Sequence, residues 1–341
     1  MNTPLRVAVV GGGQNGEHEV SLASAAAVVE VLGGAGYEVV PLTIGRDGRW
    51  AGADGSPLGT SEAASLVGAL RTLSMCDVVL PVVHGPLGED GALAALCALA
   101  GIPCAGSPLR AGALAMDKWA TKLVAEAVGV ATAPGRLVTR ADLDGLRVDG
   151  PVVVKPVAAG SSLGVTLVRD PGELRPAVHA ALAHDDRVLV EDVVVGREID
   201  LAVTELPDGG LHVSPPLEIE VADGLFDTDT KYDGSARLVV PAPIDEASLA
   251  ALRAAAERVY RALGCRGIAR VDFFLTDDGP VLNEVNTMPG LTGESQVPRM
   301  VAADGWSYRQ LLETWIAAAL PDPAPAGALD AQDLHDRRVS A

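Results

Sequence analysis

The chain reads as an α/β protein, on two observations. Over the first hundred residues, apolar runs of strand length alternate with Ala-, Val- and Leu-rich stretches of helical length, the rhythm of a parallel sheet with crossover helices. Beyond residue 150 the rhythm changes, and strand, loop and strand follow one another directly. In order, residues 5–10 (LRVAVV) predict a buried strand, followed by a glycine loop and a helix over Ser21 to Leu32. Further strands are expected at 38–42 and 77–83, and an apolar helix over 92–100 ends at Gly101 before Pro103. A helix over 116–128 precedes a strand at 151–155, a second glycine-rich loop and a strand at 164–168. Strands at 187–191 and 198–204, a helix over 246–263 and a hairpin over 268–286 complete the pattern. Residues 321–341 are rich in Pro, Ala and Asp without periodicity and are expected to form a mobile tail.

Composition narrows the function. The 341 residues are 48% apolar, 21% charged and only 3% aromatic, a globular balance in which small aliphatic side chains supply most of the packing. A net charge of -19 is the wrong sign for a nucleic-acid or anionic-membrane binder, so an anionic ligand needs local basic residues. Cys76, Cys97, Cys104 and Cys265 show neither a CxxC pair nor a zinc spacing and read as reduced packing residues. The N-terminus lacks secretory-signal features, and no apolar run reaches the length of a membrane span. A soluble, cytoplasmic protein is expected.

Of 26 basic residues only Lys118, Lys122, Lys155 and Lys231 are lysines. A compact ammonium on a flexible stem is wanted where one oxygen must be met as a point charge, and all four lie inside motifs. Gly11, Gly13 and Gly16 spell GxGxxG after a strand, the dinucleotide fingerprint, but Glu17 and Glu19 follow at once and would repel a pyrophosphate. A cation such as a substrate ammonium suits the position better; the acids equally suit a helix dipole alone. The second loop, AAGSSLG at 158–164, follows Lys155 and offers Ser161 and Ser162, small residues able either to close around phosphate oxygens or simply to turn. In ARVDFFLTDDGPVLNEVN (269–286) an Asp-Asp-Gly turn joins two β-rich runs. Period-2 alternation with a turn near Asp278 sets Asp272 opposite Glu284 and Arg270 opposite Asn286. Two acids and an amide are hard oxygen ligands suited to Mg²⁺, with Arg270 left to face developing negative charge; the competing reading is a solvated polar sheet face.

Taken together, these segments resemble the D-alanine-D-alanine ligase family of ATP-grasp enzymes. The matching blocks run in family order: GEHEVSLASA (16–25), PVVHGPLGEDG (81–91), MDKWATK (116–122), VVKPVAAGSSLGV (153–165), LVEDVVVGREI (189–199), DTKY (229–232), ARVDFF (269–274) and NEVNTMPGLTGESQVP (283–298). The resemblance implies a three-domain ATP-grasp architecture: an N-terminal parallel α/β domain over 1–106, then an α+β ATP-binding part with a central domain over 107–193 and a C-terminal domain over 194–320. It implies ATP with two Mg²⁺, or Mn²⁺, as cofactors and D-alanine as substrate. It also implies a homodimer engaging neither nucleic acid nor membrane.

Position by position, the resemblance implies that Lys118, Lys155, Ser161, Ser162 and Lys231 meet phosphates, that Glu191 and the backbone near Val194 receive adenine, and that Glu198 receives the ribose. Asp272, Glu284 and Asn286 match metal ligands. Glu17 matches the residue holding the first ammonium, with His84 beside it, and Glu17, Ser161 and Tyr232 resemble a triad that closes a lid. Arg270 and the Gly290 N–H resemble oxyanion donors, and Ser295 and Gln296 neighbours of the second substrate. The implied reaction passes through an acyl phosphate, which the amine of a second D-alanine attacks, in the service of peptidoglycan precursor synthesis.

Three departures stand out: Thr228 and Val193, where relatives carry aromatics, and Gln296, where an apolar residue is expected. If the Gln296 amide faces the pocket it favours a hydroxylated acceptor such as D-serine; if it turns to solvent it changes nothing. Tyr232 argues for an amine acceptor over D-lactate. A dinucleotide-dependent oxidoreductase and a non-catalytic nucleotide sensor are the competing classes. The first leaves the lysines and the Asp272, Glu284 and Asn286 patch without a purpose, and the second predicts erosion of Arg270, Lys231 and the metal trio, which are intact.

Overall fold

The computed structural model describes residues 4–220 and 237–320. Its first sheet is built on β1 (Arg6–Gly12), α1 (His18–Gly33), β2 (Glu38–Ile44), β3 (Trp50–Ala51), α2 (Glu62–Leu73), β4 (Val78–Pro81) and α3 (Ala92–Leu99). The strand order is β3-β2-β1-β4, with β1 parallel to both neighbours. The period of two along β1 sorts its side chains: Val7 and Val9 pack on one face with Val28 and Leu32 of α1, and Ala8 and Val10 on the other with Leu73 and Cys97. Four adjacent β1 residues, Val7 to Val10, are at most 1% exposed, as expected of a central parallel strand covered on both sides.

The helix expected over 116–128 is α5 (Lys118–Ala127), and a further helix that the sequence did not predict, α4 (Leu109–Met116), precedes it. The break is Asp117, extended at φ -83° and ψ 98°, whose carboxylate accepts the Ala120 N–H at 2.8 Å and pairs with Arg187 at 2.8 Å. An aspartate that finds a backbone N–H two or three residues ahead caps a new helix rather than continuing the old one. Lys118 is thereby the first residue of α5.

A second sheet follows β5 (Ala131–Thr132) and comprises β6 (Gly135–Val138), β7 (Val152–Pro156), β8 (Thr166–Val168) and, after α6 (Leu174–Ala181), β9 (Val188–Asp192). Its order is β6-β9-β7-β8, antiparallel throughout. The third sheet takes β10 (Arg197–Glu205), β11 (Leu211–Val213), β12 (Leu217–Glu220), β13 (Arg237–Val239) and, after α7 (Glu246–Leu263), β14 (Ile268–Thr276) and β15 (Gly279–Asn286). Its order is β13-β12-β10-β14-β15-β5, with β11 on β10. Helix α7 has the bounds expected of it, capped by Asp245 and stopped by Gly264 at φ +74°. Its Leu252, Val259 and Leu263 cover Ile199, Leu201 and Phe273 of the sheet. After α8 (Gln296–Ala303), the last described helix, α9 (Tyr308–Ala319), returns to the first sheet, where Leu311, Trp315 and Ile316 join Val7, Val9 and Leu80 in one core.

The hairpin register matches expectation where it matters, by an unexpected route. Arg270 stands opposite Asn286 and Asp272 opposite Glu284. The tight turn pairs Thr276 with Gly279 and Phe273 with Leu282, which would continue to Asp272 opposite Asn283. One extra residue at Asn283, a β-bulge, restores Glu284 to the face of Asp272.

Candidate active site

Two adjoining cavities, of about 300 and about 180 Å³, open where the three sheets meet. Both are lined by Lys118, Gly160, Ser161, Arg270 and Glu284, so together they make one elongated site. The smaller runs between the second and third sheets past Lys155, Glu191, Val193, Val194 and Glu198. The larger reaches the first glycine loop and the segment after β15, past Glu17, His84, Gly290, Ser295 and Gln296.

The first glycine loop serves packing. A Cβ on Gly11 would meet that of Ala25 in α1 at 2.5 Å, and Gly13 holds φ +126°, a conformation that favours glycine. Glu17 sits at the start of α1 but makes no cap with its side chain. Its carboxylate instead accepts the Ser161 hydroxyl at 2.6 Å from 144 residues away. Ser161 and Ser162 hold left-handed φ of +50° and +56°, an uncommon and costly conformation for serine that concentrates at functional loops.

Lys118 and Lys155 line the smaller cavity, and all three described lysines are ion-paired. Lys155 Nζ is 2.5 Å from Glu191 Oε2 and 3.3 Å from Asn283 Oδ1, the bulged residue. Lys122, 4% exposed, binds the other Glu191 oxygen and the Ala133 carbonyl. Burial alone would raise the Glu191 carboxyl, but Lys155 and Lys122 outweigh it and hold it below the ordinary carboxylate range. Lys118 Nζ lies 3.2 Å from Glu284 and donates to the Ala159 carbonyl at 2.8 Å. Lys231, Tyr232 and Thr228 lie outside the described residues, as does the expected tail.

On β14, Arg270 Nε and Nη2 fork onto the two oxygens of Asp272 at 2.7 Å each, and Asn286 Nδ2 donates to Asp272 Oδ2 at 3.0 Å. Burial opposes the charge on Arg270, but Asp272 and Asp200 raise its pKa above the ordinary value. Among the described residues no three His, Cys, Asp or Glu stand together as a ready metal cage. Two carboxylates and an amide on one face of a hairpin fit a hard divalent cation that takes the rest of its shell from phosphate oxygens. Lys118 and Arg270 balance their charge in this structure, so the polar-surface reading fails: Asp272 is 4% exposed.

At the far end His84 Nδ1 meets the Met288 carbonyl at 2.7 Å and Nε2 meets Ser24 Oγ at 2.9 Å, while Ser24 also accepts the Leu291 N–H. Burial lowers the His84 pKa. Ser295 Oγ bonds the Thr292 N–H and hydroxyl at 3.0 and 2.7 Å, and a Cβ on Gly290 would come within 2.9 Å of it. Gln296 lines the larger cavity and its amide donates to the buried Asp200 at 2.9 Å, so it is not turned to solvent, and its N–H has a partner within the protein.

Sequence reading passed over Glu89. It lines the larger cavity, and burial together with the Glu17 carboxylate pushes its own carboxyl up to about 8. Its only signal was its place in PVVHGPLGEDG, beside His84. Lys122 was noticed as a lysine but given no part, because the acid it meets is 69 residues away.

A triple-sheet fold with a lysine-lined cleft between an antiparallel sheet and a largely antiparallel one, and paired acids on one hairpin, defines the class of ATP-grasp ligases. The family models described as D-ala D-ala ligase N-terminus and C-terminus match residues 6–107 and 136–317. The chain is 42% identical over 356 residues to the D-alanine--D-alanine ligase of Mycobacterium ulcerans (strain Agy99), covering 93% of this chain and 95% of that one. It is likewise 42% identical over 357 residues to that of Mycolicibacterium smegmatis, with 92% and 95% covered. Among solved structures it is similar to the VanG D-Ala:D-Ser ligase from Enterococcus faecalis, with a TM-score of 0.79, 33% identity and 93% and 100% coverage. D-alanyl-alanine synthetase A from Vibrio cholerae gives a TM-score of 0.80 at 29% identity, with 94% and 99% covered. The chain belongs to the D-alanine-D-alanine ligase family.

Proposed function

We propose that this chain joins two D-alanines into D-alanyl-D-alanine with conversion of ATP to ADP and phosphate, a step of peptidoglycan precursor synthesis. The observation that carries the reading is the continuity of the two cavities through Arg270 and Glu284, which joins a cleft lined by Lys118, Lys155, Ser161 and Ser162 to one lined by Glu17, His84 and Gly290. On this reading ATP lies in the smaller cavity. Glu191, kept ionised by two lysines, and the Val194 backbone receive adenine; Glu198 receives the ribose; and Lys118, Lys155, Ser161, Ser162 and Lys231 receive phosphates.

Asp272, Glu284 and Asn286 would hold two Mg²⁺, or Mn²⁺, which when bound neutralise phosphate charge. Glu17 receives the ammonium of the first D-alanine, orienting its carboxylate toward the terminal phosphate, and Ser161 holds Glu17 in place with Tyr232 completing the lid contact. When the second amine attacks the acyl phosphate, the oxyanion that forms is met by Arg270 and the Gly290 N–H. His84 and Ser295 fix the segments bordering that acceptor. The Asp200 bond to Gln296 supports D-alanine over D-serine as acceptor, because the bonded amide N–H already has its partner without an acceptor hydroxyl.

The domain boundaries 106 and 193, a homodimer and a cytoplasmic setting belong to the same proposal; among the described residues no helix is long and apolar enough to cross a membrane. The test is ADP release with ATP and Mg²⁺, with products identified by mass spectrometry for D-alanine alone and paired with D-serine or D-lactate. D-Alanyl-D-alanine as the main product is expected; a predominant mixed product, or ATP turnover indifferent to D-alanine, overturns the reading.

A further inference from the structure

We propose that Asp200 is a positioning residue that retains Arg270 when Asp272 turns to a divalent cation. The inference rests on the reading of Asp272 as a metal ligand given above. Asp200, on β10, stands directly opposite Asp272 on β14 in the antiparallel register and is 1% exposed. Arg270 precedes Asp272 by two residues and so shares its face.

The guanidinium takes both Asp272 oxygens at 2.7 Å, and one of these also accepts the Asn286 amide. An ion coordinated by Asp272 must therefore displace at least part of this fork. Arginine cannot lose its charge to ease the exchange, and a buried cation left without a carboxylate is strongly disfavoured. Asp200 supplies the remedy. Its Oδ2 is already 3.5 Å from Arg270 Nε, and a shift of roughly half an ångström makes that an ordinary charge-assisted hydrogen bond.

The same Oδ2 accepts the Gln296 amide from the first residue of α8 at 2.9 Å. Asp200 is thus anchored from the opposite side and does not follow the guanidinium. One arginine between two facing carboxylates can pass from a fork on Asp272 to a bond on Asp200 without leaving the site. The second carboxylate makes metal coordination and oxyanion contact compatible.

The test is Mn²⁺ binding to the full-length enzyme in the presence of ADP, read from the free-ion electron paramagnetic resonance signal. Asp200→Asn keeps size and an oxygen for Gln296, and Asp200→Ser, which is smaller, is measured beside it. Each is expected to raise the Mn²⁺ dissociation constant about tenfold, since Arg270 then competes for Asp272 with no second carboxylate to accept it. Asp200→Glu is expected to recover most of that loss. In an Arg270→Met background Asp200→Asn should have no further effect.

Two results overturn the proposal: a dissociation constant within about twofold of the parent in both neutral variants, or an equal weakening with and without Arg270, which would make Asp200 a mere source of negative charge. Asp272→Asn separates the underlying reading. If it leaves Mn²⁺ binding unchanged, the metal site itself is wrong; if it abolishes binding while the Asp200 variants behave as the parent, only the positioning role falls.

Discussion

Lys155 shows how much a single side chain is asked to do. Its ammonium lies between Glu191 and Asn283 with the side chain 8% exposed, contacts that suit a point charge rather than a planar guanidinium. Lys155→Arg is expected to lower kcat/KM for ATP by at least about 100-fold while the thermal midpoint stays close to the parent; retention of most activity would show that the position tolerates any cation. Glu89 gives a pH test. With its carboxyl raised to about 8, the folded enzyme holds a proton that the unfolded chain releases near the ordinary carboxylate value. Stability of the unliganded enzyme should therefore fall as pH rises through that interval, by at most roughly 1.4 kcal/mol per pH unit for one proton. Glu89→Gln should flatten the decline between pH 5 and 8 in thermal denaturation without nucleotide or metal; parallel curves would mean that Glu89 is ionised throughout. Residues such as Glu17, Arg270 and Asp272 were legible because a motif surrounds each. Glu89, Lys122 and Asp200 were not, because what distinguishes them is a partner brought near only by the fold.

Among elements, the α4–α5 junction couples local helix chemistry to the site. Asp117 both caps α5 and pairs with Arg187, and the next residue is Lys118. Asp117→Ala is expected to cost about 1 to 2 kcal/mol of stability and to raise KM for ATP more than it lowers kcat, because the first turn that aims Lys118 would fray. Chemical denaturation and steady-state kinetics check the two halves; an unchanged KM beside a lowered stability would confine Asp117 to capping. The hairpin was readable to the residue because alternation and an Asp-Asp-Gly turn constrain it from both ends. Its bulge was not, since the pairing expected at Asp272 is the same whether the turn sits half a residue later or one residue is inserted at Asn283. Helix α4 escaped for a different reason. Its eight residues, Leu109–Met116, are separated from α5 by Asp117 alone, and so short a stretch gives little periodicity of its own.

For the whole molecule, alternation of strands and helices was enough to predict the first sheet, while direct strand-to-strand succession marked a change of architecture without dividing the later strands between two sheets. How the three sheets share one cleft came only from the resemblance, because contacts such as Glu17 to Ser161 or His84 to Met288 span 144 and 204 residues and leave no local pattern. Trp315 measures that long-range closure. It is 1% exposed in the core that joins α9 to β1 and β4, and Trp315→Ala is expected to destabilise the protein by about 3 to 5 kcal/mol in denaturant titration; a loss below about 1 kcal/mol would show that α9 merely rests on the sheet. The return of α9 to the first sheet also bears on how the protein is made. Val7, Val9 and Leu80 leave the ribosome long before Leu311, Trp315 and Ile316 exist to join them, so the face that they share with Val28 and Leu32 of α1 stays only partly covered for most of translation. The same late residues follow the Met288 carbonyl and Leu291 N–H that hold His84 and Ser24, so a chain that stalls before α9 carries a nucleotide cleft but neither a finished core nor, by then, a seal on the sheet. Its most vulnerable moment, to proteolysis or to association with its own copies, falls in the last stretch of synthesis.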